Sequence, residues 1–425
     1  MTMQSTPKSL RLQIGIFGRA NIGKSSFLNL IAGQDVSITS PIAGTTTDVV
    51  EKTMELLPLG PVVFLDTAGF DDKSELGVLR VNKTKKIFDR SDVILLLIEA
   101  AIWSSYEEEI LAAAKIRNIP VILVINKIDL KKPEAKFLEL LKEKSDKSID
   151  CSSLDSSNRD KYINALKIKL IEVCPEGFLN PPALLGDLIR PGGMGVLIVP
   201  IDLQAPKGRL ILPQVQAIRD ALVNDEAVVV CKEREYAHVL LNLKNPPDLV
   251  VSDSQSVLKM VADTPASVKC TTFSILFSRY KGDIIEAAKG ITAIENMKPG
   301  DKILIAEACS HHAIEDDIGR VKIPRWIRQY IGGDVVVDIC SGRDYPDDLS
   351  GYKLVIPCGG CMLTRREMLA RIHKAREAGV PISNYGIAIA FLQGVLARVL
   401  SPFPAALEAY ERELKEAKGR KDGKN

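Results

Sequence analysis

The chain has 425 residues, more than a single hydrophobic core usually serves, so we expect two or three domains. Its 56 basic and 54 acidic residues nearly cancel, which argues against nucleic acid or an anionic membrane as a partner. The sequence has neither a signal-peptide pattern nor an apolar run near the roughly 18 residues that span a bilayer. We therefore expect a cytoplasmic protein with reduced cysteines and no nucleic-acid or membrane partner.

The first part of the chain alternates short apolar runs with helical patterns, an order typical of a parallel sheet. A last helix is predicted at residues 161–173, and prolines at 175, 181 and 182 then interrupt the pattern. We therefore place the end of the first domain near residue 175. The predicted strands of this domain are residues 10–17, 62–66, 93–99 and 121–126.

Two further α/β segments follow the first domain. Residues 176–268 alternate strand and helix patterns without a phosphate loop or a catalytic triad, so we expect a domain for packing or association. Residues 269–425 alternate in the same way and end in a long helix with a basic tail. The predicted fold class is α/β in all three domains.

A phosphate-binding loop follows the first predicted strand. Residues 18–25 read GRANIGKS, which matches the pattern G-x-x-x-x-G-K-S/T and opens an apolar helix. Backbone N–H groups of such a loop bind phosphates, Lys24 adds a charge at the β and γ oxygens, and the Ser25 hydroxyl binds Mg²⁺. The residues expected to contact the phosphates are Asn21, Ile22, Gly23, Lys24, Ser25 and Ser26.

Two more phosphate elements come in the order that a GTPase requires. Asp66 begins the sequence DTAG at a strand end, which places its carboxylate near Mg²⁺ and the N–H of Gly69 near the γ-phosphate. Thr46 lies in the polar run GTTTD, and we expect it to bind Mg²⁺ when the γ-phosphate is present. Lys24, Thr46, Asp66 and Gly69 form the predicted catalytic set.

A guanine-binding element, NKID, ends the strand at 121–126. The carboxylate of Asp129 can accept hydrogen bonds from both N1–H and the N2 amino group of guanine, whereas adenine presents the opposite polarity. Asn126 and Lys127 belong to the same element, and Ser152 with Ser153 fits the loop that supports the base. Residues 1–175 are therefore predicted to form a P-loop GTPase domain that prefers GTP to ATP.

The first domain resembles the branch of translation-factor-related GTPases that includes Era and MnmE. In that branch an apolar residue replaces the glutamine that orients water, and Phe70 follows DTAG here. The resemblance implies slow intrinsic hydrolysis. Some members bind K⁺ through an asparagine of the phosphate loop, a position that Asn21 occupies, so we expect stimulation by K⁺. Loop geometry alone is the alternative reason for this asparagine.

Cysteines form a second candidate site in the third segment. Cys309 follows one predicted strand, and the C-x-x-C turn of Cys358 and Cys361 follows another, so the three thiols are expected to meet at one edge of a sheet. Zinc with an added imidazole and an iron–sulfur cluster with an open fourth site both fit three thiolates. A redox dithiol with a buried Cys309 is a further alternative, and Cys340 fits a core position better than a ligand.

The combination of a GTPase domain with these cysteines resembles the [FeFe]-hydrogenase maturation GTPases over essentially the whole chain. The runs that carry the resemblance are VPIDLQAPKGRLILPQVQAIRD, CSHH and PCGGC. It implies a homodimer formed through residues 176–268 and a [4Fe–4S] cluster bound by Cys309, Cys358 and Cys361. It also implies a scaffold that carries a diiron precursor from two radical-SAM maturases to apo-hydrogenase.

One departure from the family pattern leaves the fourth ligand open. The family often has histidine directly before C-x-x-C, and this chain has Pro357. His311, which follows Cys309 by two residues, fits a hydrogen-bond donor as well as a ligand. The alternative function is a GTP-regulated ribosome or RNA factor with a structural zinc site, and a second is a dithiol redox enzyme.

Overall fold

The structure is a computed structural model that describes residues 7–32, 50–66, 77–175, 178, 182–200, 210–308, 317–342 and 344–422. It divides the chain into two compact units, Met1–Pro181 and Pro182–Asn425. Each unit combines parallel or mostly parallel sheets with helices, so the predicted α/β class is confirmed. No helix among the described residues is long and apolar enough to cross a membrane.

A six-stranded sheet forms the centre of the first unit. Its strands are β1 Leu12–Phe17, β2 Val50–Leu56, β3 Gly60–Asp66, β4 Val93–Glu99, β5 Val121–Asn126 and β6 Ser148–Asp150. They lie in the order β2-β3-β1-β4-β5-β6, and every pair is parallel except β2 with β3. The helices are α1 Lys24–Ala32, α2 Gly77–Arg90, α3 Ser105–Ile116, α4 Ala135–Lys144 and α5 Arg159–Val173.

The central strands of this sheet are buried on both faces. All six residues of β1 and all but the last residue of β4 are buried, and two separate hydrophobic clusters cover the two faces. Strands covered on both sides need a near-continuous apolar sequence, which is why these runs were recognisable. The edge strand β2 was not predicted, because its sequence VEKTMEL is largely polar.

The second unit contains a four-stranded and a three-stranded sheet, both parallel. The strands, in chain order, are β7 Met194–Ile198, β8 Ala227–Cys231, β9 Leu249–Ser252, β10 Lys269–Thr272, β11 Lys302–Ala306, β12 Val336–Cys340 and β13 Leu354–Pro357. The four-stranded sheet has the order β10-β9-β7-β8, and the three-stranded sheet has the order β12-β11-β13.

Ten α-helices accompany these two sheets among the described residues. They are α6 Leu212–Val223, α7 Tyr236–Asn242, α8 Val257–Asp263, α9 Phe273–Lys281, α10 Ile284–Gly290, α11 Ile323–Ile331, α12 Arg365–Glu377, α13 Tyr385–Leu392, α14 Leu396–Leu400 and α15 Pro404–Asp422. One buried hydrophobic cluster extends from Leu184 to Tyr410 and includes residues of both sheets. The two sheets are therefore joined by a shared core.

The two predicted domain boundaries, at residues 175 and 268, can be compared with the fold. The observed division after residue 181 is near the predicted boundary at 175. The predicted boundary at 268 falls directly before β10, which pairs with β9 in the four-stranded sheet. The division of the second unit into 176–268 and 269–425 stays a prediction.

Candidate functional site

The phosphate loop leaves the sheet from its central strand. β1 lies between β3 and β4, and at such a point the connections diverge to opposite sides and leave a crevice at the carboxyl end. Gly18 follows β1, and a Cβ there would lie 2.9 Å from the carbonyl oxygen of Leu97. Asn21 and Gly23 have positive φ angles of 60° and 95°, which turn the loop into the N-terminus of α1.

Lys24 lies inside this loop and is 5% exposed. Its Nζ donates hydrogen bonds to the carbonyl oxygens of Gly18, at 2.8 Å, and Arg19, at 2.9 Å. A phosphate oxygen is a stronger acceptor than a neutral carbonyl, because it is charged. The ammonium group therefore already lies at the centre of the loop that a phosphate would enter.

The first turn of α3 supports the phosphate loop. Arg19 donates two hydrogen bonds, of 2.8 and 2.5 Å, to the carboxylate of Glu107, whose side chain is 2% exposed. Burial acts to raise the pKa of Glu107, but hydrogen bonds from Arg19 and Ser104 outweigh it, so its pKa is lowered. The hydroxyl of Tyr106 also accepts a hydrogen bond from the Gly18 N–H at 3.3 Å. The phosphate loop is thus fixed to α3 by the Arg19–Glu107 ion pair and by the neutral hydrogen bond between Gly18 and Tyr106.

This support was not predicted from the sequence, although a signal for it exists. Ser104-Ser-Tyr-Glu107 matches the capping box S-x-x-E, and both of its reciprocal hydrogen bonds are present in α3. The motif marks the start of a helix but does not indicate which loop the helix contacts. The pairing with Arg19 spans 88 residues and depends on the tertiary fold.

Asn126 connects the phosphate loop to the predicted base-binding loop. Its side chain is buried, its Nδ2 donates to the carbonyl oxygen of Ile22 at 2.8 Å, and its Oδ1 accepts from the N–H and the hydroxyl of Ser153 at 3.0 and 2.8 Å. A Cβ at Gly23 would lie 2.6 Å from the same Nδ2. The glycine is therefore required by the close approach of Asn126 as well as by its φ angle.

The remaining base-site residues follow the carboxyl ends of β5 and β6. Lys127 has a φ of 59° and contacts Glu99, while Asp129 is exposed in the loop after β5. The Oγ of Ser152 is buried and makes no hydrogen bond within the described part of the chain. A buried hydroxyl of this kind is available to an ordered water or a ligand.

The structure places most predicted nucleotide contacts at one end of the first sheet. Asp66 is the last residue of β3 and is 3% exposed, beside β1 and its loop. Thr46, Gly69 and Phe70 lie outside the described residues. The roles assigned to the individual residues stay predictions.

The cysteine site lies at the carboxyl ends of β11 and β13. These strands are neighbours, with Ala306 opposite Pro357, and the Cys358 N–H donates to the carbonyl oxygen of Ala306 at 3.0 Å. The Ala308 N–H donates to the Sγ of Cys358 at 3.0 Å. The residue before Cys309 therefore contacts the first sulfur of the C-x-x-C turn.

A tight turn holds Cys358 and Cys361 above α12. Gly360 has a φ of 64°, and its carbonyl oxygen accepts from the Leu363 N–H at 3.0 Å. A Cβ at this glycine would lie 2.4 Å from the Cε of Met368. The turn is followed by a capping box that starts α12. The positive φ angle therefore favours glycine in the turn, and the missing Cβ leaves room for the Met368 side chain.

The electrostatics of the turn combine burial with nearby positive charge. Burial raises the pKa of the Cys358 and Cys361 thiols. Lys281 acts to lower the pKa of Cys361, and backbone N–H groups with Arg371 act in the same direction on Cys358. A metal would favour the thiolates in the same way as these cations do.

The described donors fit a metal–thiolate site but are only part of one. Two cysteines share a tight turn, and one sulfur accepts backbone hydrogen bonds, as the sulfurs of iron–sulfur sites do. No group of three metal-ligating side chains occurs among the described residues. Cys309, His311 and His312 lie outside them.

Cys340 ends β12, on the opposite side of β11 from β13. It is partly buried and packs against a small hydrophobic cluster that includes residues of the three-stranded sheet. Burial raises its pKa to about 11, which keeps the thiol protonated at neutral pH. These surroundings agree with the core role that the sequence favoured.

Three family models match the chain. The hydrogen maturase F dimerization domain matches residues 184–282, and the hydrogen maturase F tetramerization domain matches residues 285–402. The chain belongs to the hydrogen maturase F family. A third model, the 50S ribosome-binding GTPase, matches residues 13–127, so this member of the family carries a P-loop GTPase domain. The predicted resemblance is confirmed, and domains of dimerization and tetramerization type follow the GTPase domain.

The chain is also similar to several GTPases. The tRNA modification GTPase MnmE of Paraburkholderia xenovorans strain LB400 is 38% identical over 120 residues, which are 28% of this chain and 26% of that protein. The GTPase Der of Kosmotoga olearia is 33% identical over 205 residues, 47% of this chain and 41% of Der. The chain therefore spans less than half the length of these curated relatives. The crystal structure of Era from Aquifex aeolicus also matches, at 20% identity and with a TM-score of 0.32. This match covers 86% of the present chain and 98% of the Era chain.

Replacing Asn126 with alanine should weaken GTP binding at least tenfold. The change removes three hydrogen bonds that join the phosphate and base loops, and a loss of about 1.5–3 kcal/mol corresponds to tenfold or more in Kd. Titration with a fluorescent GTP analogue measures the effect. Asn164→Ala, on the exposed face of α5, is the matched control and should bind like the wild type. Equal affinities for the two variants would contradict the assigned role of Asn126.

Proposed function

We propose that the protein is a GTP-hydrolysing scaffold for the maturation of [FeFe]-hydrogenase. It hydrolyses GTP in residues 1–175, associates through residues 176–268, and binds a [4Fe–4S] cluster in residues 269–425. Membership of the hydrogen maturase F family supports the maturation role. The observation that supports the cluster site is the hydrogen bond from the Ala308 N–H to the Cys358 sulfur, because it puts the residue before Cys309 in contact with the first sulfur of the turn.

GTP hydrolysis depends on charge placed around the transferred phosphate. Lys24 supplies a buried cation at the loop centre, while Ser25 and Thr46 bind Mg²⁺ and Asp66 holds the ion through a water molecule. The Gly69 N–H binds the γ-phosphate. Phe70 has no polar group to orient the attacking water, so hydrolysis is slow without a further cation.

Asn21 supplies a ligand for that further cation. It is exposed on the phosphate loop, where a K⁺ ion bound by its side-chain oxygen adds positive charge beside the β and γ oxygens. The left-handed backbone of Asn21 is a second reason for asparagine at this position, since asparagine tolerates that conformation. Replacing Asn21 with glycine separates K⁺ binding from backbone conformation, because glycine keeps the conformation and removes the side-chain oxygen.

Hydrolysis should be about tenfold or more faster in KCl than in NaCl at the same ionic strength, because K⁺ stabilises charge in the transition state. Asn21→Gly keeps the positive φ and removes the side-chain oxygen, so its two rates should be equal. Phosphate release measured in both salts is the readout, and GTP affinity is the control for loop integrity. Equal wild-type rates in the two salts would sink the K⁺ proposal.

The cluster site uses three cysteines and leaves one position open. Cys358 and Cys361 supply two thiolates from one turn, and Cys309 supplies the third from the loop after β11. Pro357 removes the histidine that would offer a fourth ligand from the same turn. When bound, the cluster supplies redox-active iron with an exchangeable position to which the diiron precursor can attach. The protein's own part is to hold the sulfurs and to orient N–H donors toward them.

Anaerobic reconstitution should give a brown protein with about four iron and four sulfide per chain. Serine at position 309, 358 or 361 should reduce the iron content sharply, because each change removes a thiolate. Cys340→Ser is the matched control and should retain the wild-type content. Metal analysis and EPR after reduction are the measurements.

Two results, one from this reconstitution and one from an assay of dithiol oxidoreductase activity, would overturn the cluster proposal. A colourless protein with one tightly bound zinc would favour the GTP-regulated ribosome or RNA factor. A Cys309→Ser protein that retains full activity as a dithiol oxidoreductase would favour the redox alternative.

The partners are two radical-SAM maturases and apo-hydrogenase, and a second copy of the chain. GTP orders the segments around Thr46 and after Gly69, and this ordering changes how tightly the partners bind. A non-hydrolysable GTP analogue should therefore change partner dissociation rates severalfold relative to GDP, as measured by surface plasmon resonance. Lys24→Ala, which weakens nucleotide binding, should abolish the difference. Identical rates with both nucleotides would refute the coupling.

A further inference from the structure

Lys281 is a lysine buried beneath the cysteine turn. It is the last residue of α9 and is 1% exposed. Its Nζ donates hydrogen bonds to the carbonyl oxygens of Gly360 at 3.1 Å, Cys361 at 3.2 Å and Leu363 at 2.7 Å. All three ammonium hydrogens therefore have acceptors, and all three acceptors belong to the turn.

The burial of this ammonium group is costly without nearby negative charge. Desolvation lowers the pKa of Lys281 to about 8, while Cys361, Glu367 and Cys358 act in the opposite direction. The carboxylate of Glu367 accepts from the Thr364 N–H at 2.8 Å as the cap of α12. Carbonyl dipoles alone do not neutralise a buried cation, whereas sulfurs in the thiolate form do.

A second buried cation lies near the same turn. Arg371 is 6% exposed and donates to the carbonyl oxygen of Gly342 at 2.6 Å, and its guanidinium lies over the ring of Tyr345. Its Nη1 is buried without a hydrogen bond inside the described ranges. Two buried cations near two cysteines match an occupant with negative charge, such as a cluster bound by thiolates.

Lys281 also connects two parts of the second unit. It belongs to the segment matched as the dimerization domain, whereas the turn belongs to the segment matched as the tetramerization domain. A neighbouring contact repeats the connection, because Arg365 donates to the carbonyl oxygen of Tyr280 at 2.6 Å. The position of the cysteine turn is thus tied to the end of α9.

We infer that Lys281 is a positioning residue for the cluster: its ammonium group holds the carbonyl oxygens of the cysteine turn and places a positive charge under the sulfurs. The inference rests on the proposed cluster function. Lys281 touches the backbone of the turn and acts on the cluster through it. Positive charge there stabilises the more negative, reduced cluster and raises its reduction potential.

Lys281→Met tests the inference in the full-length chain, with Lys289→Met as the control. Lys289 lies on α10, is about one third exposed and pairs with Glu286. In the protein without metal, amide exchange at Cys358 and Leu363 should be about tenfold or more faster in Lys281→Met, because the turn loses its charged donor. After reconstitution, the reduction potential should shift to more negative values. The control should match the wild type in both measurements, and GTP hydrolysis should be unchanged in both variants.

Lys281→Gln separates hydrogen bonding from charge, and it carries the test if Lys281→Met does not fold. Its amide keeps two uncharged N–H donors in place of three charged ones, so the exchange rate should lie between those of the wild type and Lys281→Met, while the potential still shifts. Wild-type exchange together with a wild-type potential in the Lys281 variants would overturn the inference. If the wild type itself binds no cluster, the proposed function fails, and the exchange rates still decide whether Lys281 holds the turn.

Discussion

Parallel pairing of β11 with β13 puts Ala306 opposite Pro357, and the cluster site proposed for the second unit depends on that register. The two strand ends therefore lie side by side, and the Ala308 N–H reaches the Cys358 sulfur. The first unit uses the same constraint, because its phosphate loop and base loops all leave the carboxyl ends of parallel strands. One rule of sheet geometry therefore locates both candidate sites.

Much of this arrangement could be predicted from the sequence, because its signals are local. β4 and β5 are covered on both faces, so they read as apolar runs and were found with their observed bounds. The loop GRANIGKS and the turn PCGGC carry glycines whose positive φ angles the structure requires at Gly23 and Gly360. Short motifs of this kind predict both the backbone conformation of a loop and the type of ligand that it binds.

The remaining features depend on contacts between distant residues. Helix α13 was not predicted, because its sequence YGIAIAFL is apolar on every side and lacks helical periodicity. The pairs Arg19 with Glu107 and Lys281 with Gly360 join residues 88 and 79 positions apart. Nothing in the local sequence of Lys281 distinguishes it from an exposed lysine at the end of a helix. Both pairs hold a loop of a candidate site, and a short sequence motif does not show which distant loop a residue contacts.

The central claim is that the ends of β11 and β13 bring Cys309, Cys358 and Cys361 to one [4Fe–4S] cluster. The most direct measurement is a crystal structure of the anaerobically reconstituted protein with anomalous scattering recorded at the iron edge. We expect a compact iron peak within bonding distance of all three sulfurs, above the turn that Lys281 holds. An iron peak elsewhere in the chain, or a single zinc atom at these cysteines, would contradict it.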